Sequence, residues 1–342
     1  MQGMMIDRIN KSFGDNHVLK DITMSIEDGE FVSVLGPSGC GKTTLLKLIA
    51  GLETPESGSI YIGEVLCNNV PARKRGAVIV FQDYGLFPHM TVKQNIEFGL
   101  IAKKISRTER DRIIAQMLDV MQIEDKVSFY PRQLSGGQKQ RVALARACAL
   151  KPNVLLLDEP FSNLDTSLKD VMREFVSNMQ RELGITTILV THDKEESFML
   201  SNRVAVVLDG KLQQFDTPQQ IYSRPLSMQV AEFIGEANHI EGTVRSGVFT
   251  CFLGAFSADE FCGDEARLML KYDQLRLTRA EGTACKVLEK RYKGHTTAYR
   301  VEAKDELRTQ LVVNSSDNSF EIGQAAYIIA ADGAGHIVAC DT

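Results

Sequence analysis

Gly36-Pro37-Ser38-Gly39-Cys40-Gly41-Lys42-Thr43-Thr44 stands between the apolar run Phe31 to Leu35 and the amphipathic run Leu45 to Ala50, an order that reads as strand, phosphate-binding loop, helix. The spacing is G-x-x-x-x-G-K-[ST]. Glycines in it let consecutive backbone N–H groups curl around phosphate oxygens with no Cβ in the way. Lys42 adds a point charge. The helix that starts near Lys42 directs its free N–H groups and positive end at the same phosphates, and the Thr43 hydroxyl is placed to hold Mg²⁺. A nucleoside triphosphate is the expected ligand. The alternative, a glycine-rich turn with a chance lysine, has to be weighed against the rest of the chain.

Upstream, Ile6 to Ile9 and Ile22 to Ile26 alternate polar and apolar residues around turns at Gly14-Asp15-Asn16 and Glu27-Asp28-Gly29, the pattern of short antiparallel strands. Phe13, just before the first turn, has two readings: packing at a strand end, or stacking on a nucleotide base. Downstream, the run Ala77 to Phe81 reads as a buried strand that delivers Gln82. The loop Asp83 to Met90 follows, with Leu86, Phe87 and Met90 among glycine and proline. Those side chains either face a protein partner or fold back on the core. Thr91 to Met121 is helical in pattern, with Ser106 or Thr108 as a cap. Leu134-Ser135-Gly136-Gly137-Gln138 precedes an Ala-rich helix from about Lys139 to Leu150. That pentapeptide is either a second anion-binding helix end or a simple cap and turn.

Val154 to Leu157 is an all-apolar run ending in Asp158-Glu159-Pro160, as in a buried parallel strand that presents carboxylates at its C-terminal edge. Two carboxylates there are costly without a cation, and metal pairing supplies the reason. The turn Phe161 to Asp165, a helix through Arg181 and another buried-type strand, Thr186 to Val190, follow. That strand delivers His192 to the edge shared by Lys42, Asp158 and Gln82. Val204 to Leu208 and Lys211 to Phe215, joined by Asp209-Gly210, read as a hairpin. Beyond Asn238 only strand-like runs recur, at Leu268 to Leu270, Cys285 to Leu288, Thr297 to Val301, Leu311 to Val313 and Ala326 to Ile329. They read as a small β-barrel of about a hundred residues.

Length and composition fit two domains: 342 residues, 44% hydrophobic and 24% charged. Lys+Arg 39 against Asp+Glu 44 gives a net charge of -5, so the basic excess of a nucleic-acid binder is missing. From Glu236 onward the balance is 12 Lys+Arg to 16 Asp+Glu, which argues against nucleic acid for the barrel as well. Arg73-Lys74-Arg75 reads as a short solvated cluster. The seven cysteines form no C-x-x-C pair and are odd in number, favouring a reducing compartment without zinc or a disulfide framework. Charges at Asp7, Arg8 and Lys11 and the lack of an apolar h-region argue against a signal peptide, and no apolar stretch approaches the ~20 residues that span a bilayer.

Taken together, GPSGCGKTT, Gln82, LSGGQ, LLLDEP, SNLD and His192 resemble, in content and order, the ATP-binding cassette superfamily. More closely, the chain is similar to ATPase subunits of bacterial importers of the maltose, polyamine and ferric-iron type. The resemblance covers essentially the whole chain, and LSGGQ is its discriminating element. It implies an α/β fold: residues 1–236 as an ATPase domain with a mixed sheet core, an antiparallel β-subdomain and a helical subdomain at about 86–150, then residues 237–342 as an OB-like, TOBE-type β-barrel.

The resemblance further implies ATP and Mg²⁺ as ligands. Phe13, Gly36 to Thr44, Ser135, Gly136, Gly137, Gln138 and Asp165 would contact or border nucleotide. Thr43, Asp158 and Gln82 would attend the metal, Glu159 would polarise water, and His192 and Lys42 would contact the γ-phosphate. Two copies would face each other head to tail, sharing each site across a two-fold interface. The loop Gln82 to Met90 would receive a helix of a membrane permease, placing the chain peripherally on the cytoplasmic face of the bacterial inner membrane and, indirectly, with a substrate-binding protein. Soluble superfamily ATPases acting on DNA or ribosomes usually carry two cassettes or a long coiled coil, and this chain has neither. An exporter is the second rival, disfavoured by the barrel; a ligand-sensing role for the barrel stays open. Ala231 to Asn238 and Tyr272 to Leu277 resemble the ferric-iron branch, with polyamine import as the alternative. Cys40 is read as packing rather than as a redox-sensitive thiol.

Overall fold

The structure of the chain is a computed structural model that describes residues 3–258, 266–331 and 333–339. It divides into two compact units, Met1–Pro218 and Gln219–Thr342.

In the first unit, β1 (Met4–Phe13) and β2 (Asn16–Ile26) form a hairpin, continued by β4 (Ser57–Ile62) and β5 (Val65–Leu66) into one antiparallel sheet in the order β2-β1-β4-β5. Alternate residues Met4, Ile6, Ile22, Met24 and Ile26 are buried, as the period-two pattern requires. The second sheet holds β3 (Phe31–Leu35), β6 (Ala77–Val80), β7 (Val154–Asp158), β8 (Thr186–Thr191), β9 (Arg203–Leu208) and β10 (Lys211–Asp216), in the order β10-β9-β3-β8-β7-β6. All its neighbours are parallel except the β9–β10 hairpin. β3, β7 and β8 are buried throughout, which is why they read as unbroken apolar or small-residue runs. β6 is the edge strand, and only Val80 in it is fully buried. The expectation of a buried strand there is corrected: covering on one side leaves Ala77 to Ile79 half-buried.

Helix α1 (Lys42–Ala50) buries Leu45, Leu46, Leu48 and Ile49 beside β3 and the antiparallel sheet, at about 1.5–3 kcal/mol for each large side chain. Its C-terminus is closed by Gly51 in the left-handed region and by Arg75, whose guanidinium donates to the carbonyls of Leu48 at 2.6 Å and Ile49 at 3.3 Å. Arg75 is buried and also bonds the carbonyls of Val70 and Asn68, so the cluster Arg73 to Arg75 is not simply solvated.

The helical region contains α2 (Val92–Ala102), α3 (Arg107–Met121) and α4 (Gly136–Cys148), packed as one core around Ile96, Leu100, Ile114, Met117, Val142 and Ala145. Ser106 caps α3. α5 (Thr166–Leu183) buries Met172, Phe175, Val176 and Met179, an i, i+3, i+4, i+7 stripe. α6 (Lys194–Leu200) follows β8.

The second unit begins earlier than the boundary expected at 236/237. α7 (Pro218–Ser223) and α8 (Met228–Ile234) lead into strands only, and α8 shares a small core with them through Met228, Ala231, Met269 and Val338. The strands are β11 (Ala237–Glu241), β12 (Thr243–Arg245), β13 (Val248–Cys251), β14 (Gly254–Ser257), β15 (Ala266–Lys271), β16 (Leu275–Thr278), β17 (Thr283–Tyr292), β18 (Thr297–Ala303), β19 (Gln310–Ser315), β20 (Ala325–Ala330) and β21 (His336–Ala339). They form three antiparallel sheets, β11-β15-β21, β12-β13-β14 and β16-β20-β17-β18-β19, around one apolar core containing Phe249, Tyr299 and Phe320. This is the expected β-rich C-terminal domain, its strands divided among three sheets. Cys262 and Cys340 lie outside the described residues.

Candidate active site

Strand register explains how distant residues reach one edge. Leu35 of β3 pairs with Thr191 of β8, Asp158 of β7 with Val190 of β8, and Val80 of β6 with Leu157 of β7. The phosphate loop, Asp158-Glu159, His192 and Gln82 therefore all leave the sheet at its C-terminal edge, where parallel α/β sheets hold ligands.

The loop is built as its glycines require. Gly41 precedes α1 with φ 98°, and a Cβ there would lie 2.7 Å from Leu19 Cδ2 and 2.9 Å from the Val18 carbonyl. A Cβ on Gly36 would lie 2.2 Å from the Val207 carbonyl. Pro37, Ser38 and Gly39 form the exposed tip, whereas Cys40 is buried. Burial pushes the Cys40 thiol up, Lys42 offsetting this only in part, so the thiolate that redox chemistry needs is disfavoured. Lys42 is 5% exposed and donates to the carbonyls of Gly36 and Pro37, each at 2.8 Å.

Thr43 Oγ1 donates to Asp158 Oδ1 at 3.0 Å. A hydroxyl and a carboxylate in contact are the hard oxygen donors Mg²⁺ prefers, and a triphosphate and water complete such a shell, so these residues fit the ion. Burial raises the Asp158 carboxyl above its ordinary range; the Thr43 bond opposes the rise and the neighbouring Glu159 charge adds to it. A carboxyl raised on folding holds its proton more tightly in the folded chain, so it costs stability as pH climbs through its folded pKa. Asp158→Asn in magnesium-free solution is therefore expected to melt at or above the parent at neutral pH, with the gap narrowing toward about pH 4. Thermal melts across that range check this, and a lower melting Asp158→Asn at neutral pH would show that the Thr43 bond outweighs burial.

Glu159 has φ 44°, unusual for a residue with a side chain, and the strained turn is pinned by its N–H on the Val190 carbonyl at 2.9 Å and by Ser162 Oγ donating to its carbonyl at 2.8 Å. Its Oε1 lies 3.2 Å from His192 Nδ1. The acidic residue and the histidine thus meet at the edge, both with solvent access. Gln82 is exposed, and its carbonyl accepts from Asn163 Nδ2 at 2.9 Å. Asn163 was not singled out from the sequence; its place in SNLD, beside Asp165, is the only signal that points to it.

Other expected site residues lie on different elements. Ser135 caps α4 through a reciprocal box, its Oγ accepting from Gln138 N–H at 3.3 Å and its N–H donating to Gln138 Oε1 at 2.9 Å. Gly136 and Gly137 are the first residues of that helix, so the helix starts before the expected Lys139. In one chain the pentapeptide is a helix cap, with Ser135 exposed, Gly136 half-buried and Gly137 buried. Asp165 caps α5, accepting from Leu168 N–H at 2.9 Å and Ser167 Oγ at 2.8 Å, and these bonds hold its carboxyl below the ordinary range. Phe13 is 47% exposed at the end of β1, with Lys11 Nζ 4.9 Å from its ring centroid.

The loop after Gln82 combines the two sequence readings. Tyr84 is buried and Leu86, Phe87 and Met90 are half-buried, so the loop folds back in part. The buried Asn95 takes the Phe87 N–H at 2.9 Å and donates to the carbonyls of Phe87, Met90 and Thr91. Arg146 bonds the carbonyls of Tyr84 and Gly85 and lies over the Phe87 ring. Phe87 packs on Phe98, which is itself 46% exposed, with ring centroids 4.5 Å apart. The result is a fixed, partly apolar surface. Among the described residues, no helix is long and apolar enough to cross a membrane.

The ABC transporter family model matches residues 19–162. The chain is 46% identical over 243 residues to the Fe(3+) ions import ATP-binding protein FbpC of Fusobacterium nucleatum, covering 71% of this chain and 66% of that one, just short of two thirds of the relative's length. It is 37% identical to the spermidine/putrescine import ATP-binding protein PotA of Marinobacter nauticus, covering 96% of this chain and 93% of that one. Among solved structures, the ATP-binding cassette MJ0796, in a dimeric post-hydrolysis state bound to ADP and Pi, has a TM-score of 0.56 at 32% identity, covering 63% of this chain and 98% of that chain. The cbiO1 protein of Clostridium perfringens, part of the ABC transporter complex cbiONQ, has a TM-score of 0.59 at 31% identity over 64% of this chain and 90% of that chain. Phosphate loop, strand-edge carboxylates, LSGGQ-capped helix and edge histidine all occur in this chain's first unit, and with relatives matched at this identity and coverage the chain belongs to the ABC transporter family.

Proposed function

We propose that this chain is the subunit that hydrolyses ATP to drive an importer, with ferric iron as the imported substrate. The observation that carries the reading is the convergence at one sheet edge of Lys42, the Thr43–Asp158 pair and the Glu159–His192 pair. Lys42 and the loop N–H groups bind the phosphates. Thr43 and Asp158 would hold Mg²⁺, Gln82 would attend it from the end of β6, and the ion would neutralise charge on the transferring phosphoryl group. Glu159 accepts the proton of the attacking water and His192 orients against it and the γ-phosphate. Positioning and electrostatics supply most of the rate in such transfers.

In this reading two copies pair head to tail, so that Ser135, Gly136, Gly137 and Gln138 of one copy close over nucleotide held by the other, with Asp165 at the boundary and Phe13 against the base. The Ser135 cap supports that arrangement, because the first N–H groups of a helix have no partner within it and form an end that binds phosphate. The fixed loop Gln82 to Met90, with Phe87 and Phe98, is the surface offered to a membrane permease on the cytoplasmic face of the inner membrane. A substrate-binding protein would act on the far side.

Iron is placed first on the resemblance of Ala231 to Asn238 and Tyr272 to Leu277 to the ferric-iron branch, and polyamine is the alternative because relatives named for spermidine/putrescine import match at similar identity. Uptake of labelled ferric iron and labelled putrescine by cells carrying the parent chain or Glu159→Gln tests both. Loss of iron uptake alone is the expected result. Loss of putrescine uptake alone would put the alternative in its place.

A further inference from the structure

A buried guanidinium in the first unit meets the carboxylates that follow the edge histidine. Arg173 of α5 is 4% exposed, and its Nη1 lies 3.0 Å from Asp170 and 3.4 Å from Glu195, its Nη2 3.3 Å from Asp193 and 3.6 Å from Glu196. Lys169 adds a second cation, 3.7 Å from Glu196. The acceptors are not scattered. Asp193 immediately follows His192 and caps α6, accepting the N–H groups of Glu195 at 2.9 Å and Glu196 at 3.2 Å on its other oxygen. Glu196 accepts the Thr191 hydroxyl at 2.6 Å, and that same hydroxyl accepts the Asp193 N–H at 3.0 Å. The residues on both sides of His192 are therefore fixed by carboxylates that Arg173 holds.

From this geometry we infer that Arg173 is a positioning residue for the reaction: through Asp193 and Glu196 it sets the turn that presents His192 Nδ1 to Glu159. The inference rests on the ATPase reading above. Stability alone is a poor reason for the cluster, since burying a guanidinium and the Glu196 carboxylate costs desolvation that a well-packed apolar side chain would avoid. Arg173 Nε is also buried with no hydrogen-bond partner, an arrangement that gives up stability while the two Nη atoms reach the turn. Lysine at this site keeps a charge and loses the planar fork whose Nη1 reaches Asp170 and Glu195 while its Nη2 reaches Asp193 and Glu196.

The test is steady-state ATP hydrolysis by the full chain as parent, Arg173→Lys, His192→Ala and the double variant. Arg173→Lys is expected to lower kcat about 10–100-fold with KM for ATP changed by less than about twofold, the cost of a misplaced group rather than of lost binding. In the His192→Ala background the same change is expected to cost nothing further, since residues acting through one another are non-additive. An equal loss in both backgrounds, or no loss in either, overturns the inference. If Arg173→Lys does not fold by thermal melt, Glu196→Gln, which keeps the shape and removes one carboxylate, is put through the same cycle with the same criterion. A parent chain without ATPase activity would refute the functional reading itself; an active parent with an unaffected Arg173→Lys refutes the positioning role alone.

Discussion

Glu159→Gln is expected to bind MgATP about as tightly as the parent and to hydrolyse it about 10²–10⁴ times more slowly, the range for loss of a positioned general base. The substitution keeps the shape of the side chain and leaves the turn intact. The bonds that pin the strained backbone, Glu159 N–H to Val190 and Ser162 Oγ to the Glu159 carbonyl, use main-chain atoms that glutamine also has. A side-chain amide also reaches His192 Nδ1 at the 3.2 Å separation seen for the carboxylate. What is removed is the capacity to take a proton. In the head-to-tail pairing proposed above, ATP is then expected to stay bound between the phosphate loop of one copy and the Ser135 cap of another, and the variant to elute as a dimer in MgATP where the parent returns to monomer as it hydrolyses. Single-turnover hydrolysis and size exclusion with and without MgATP make the measurement. A Glu159→Gln chain that stays monomeric with MgATP would count against the shared site, and one that hydrolyses at the parent rate would take the base role away from Glu159.

The site was legible in the sequence where its determinants are local. Glycine spacing from Gly36 to Gly41, an apolar strand ending in two carboxylates and a strand ending in a histidine each encode position and chemistry within a few residues, and parallel register brings them to one edge. The antiparallel hairpin at Met4 to Ile26 and the strand runs from Leu268 onward were legible for the same reason. What the sequence did not carry are partnerships between distant segments. Arg173 meets Asp193 across 20 residues, Asn163 meets the Gln82 carbonyl across 81, and Arg75 closes the end of α1 across 27. Nothing in the spacing of a lone arginine distinguishes a solvated side chain from one that binds four carbonyls. The strain at Glu159 was equally hidden, because left-handed backbone at a glutamate is imposed by its surroundings and has no glycine to announce it. The edge position of β6 and the half-burial of the Gln82 to Met90 loop depend on which strand ends the sheet and on Asn95, a helix residue that serves as the loop's hydrogen-bond anchor.

Lys42→Ala is expected to act on a different quantity. An ammonium has three N–H donors: two are used on the Gly36 and Pro37 carbonyls at 2.8 Å, which fixes Nζ across the loop, and the third meets only the weak acceptor Cys40 Sγ at 4.0 Å, which a phosphate oxygen would replace. A charge-assisted bond of this kind contributes about 1.5–3 kcal/mol, so its loss is expected to weaken ATP binding about 10–150-fold in Kd. The two carbonyls also lose their partner, and the one at Gly36 belongs to a buried residue. The loop is therefore expected to lose its shape together with its charge, so that ADP, which lacks the γ-phosphate, weakens as well. Equilibrium titration of ATP and ADP against parent and variant separates the two contributions. If Lys42 serves only the γ-phosphate, ATP affinity falls and ADP affinity is preserved; if it also braces the loop through Gly36 and Pro37, both fall, with ATP falling further. The two 2.8 Å carbonyl bonds favour the second outcome, and a variant with unchanged affinity for both nucleotides and a slower kcat would assign Lys42 to the transition state alone.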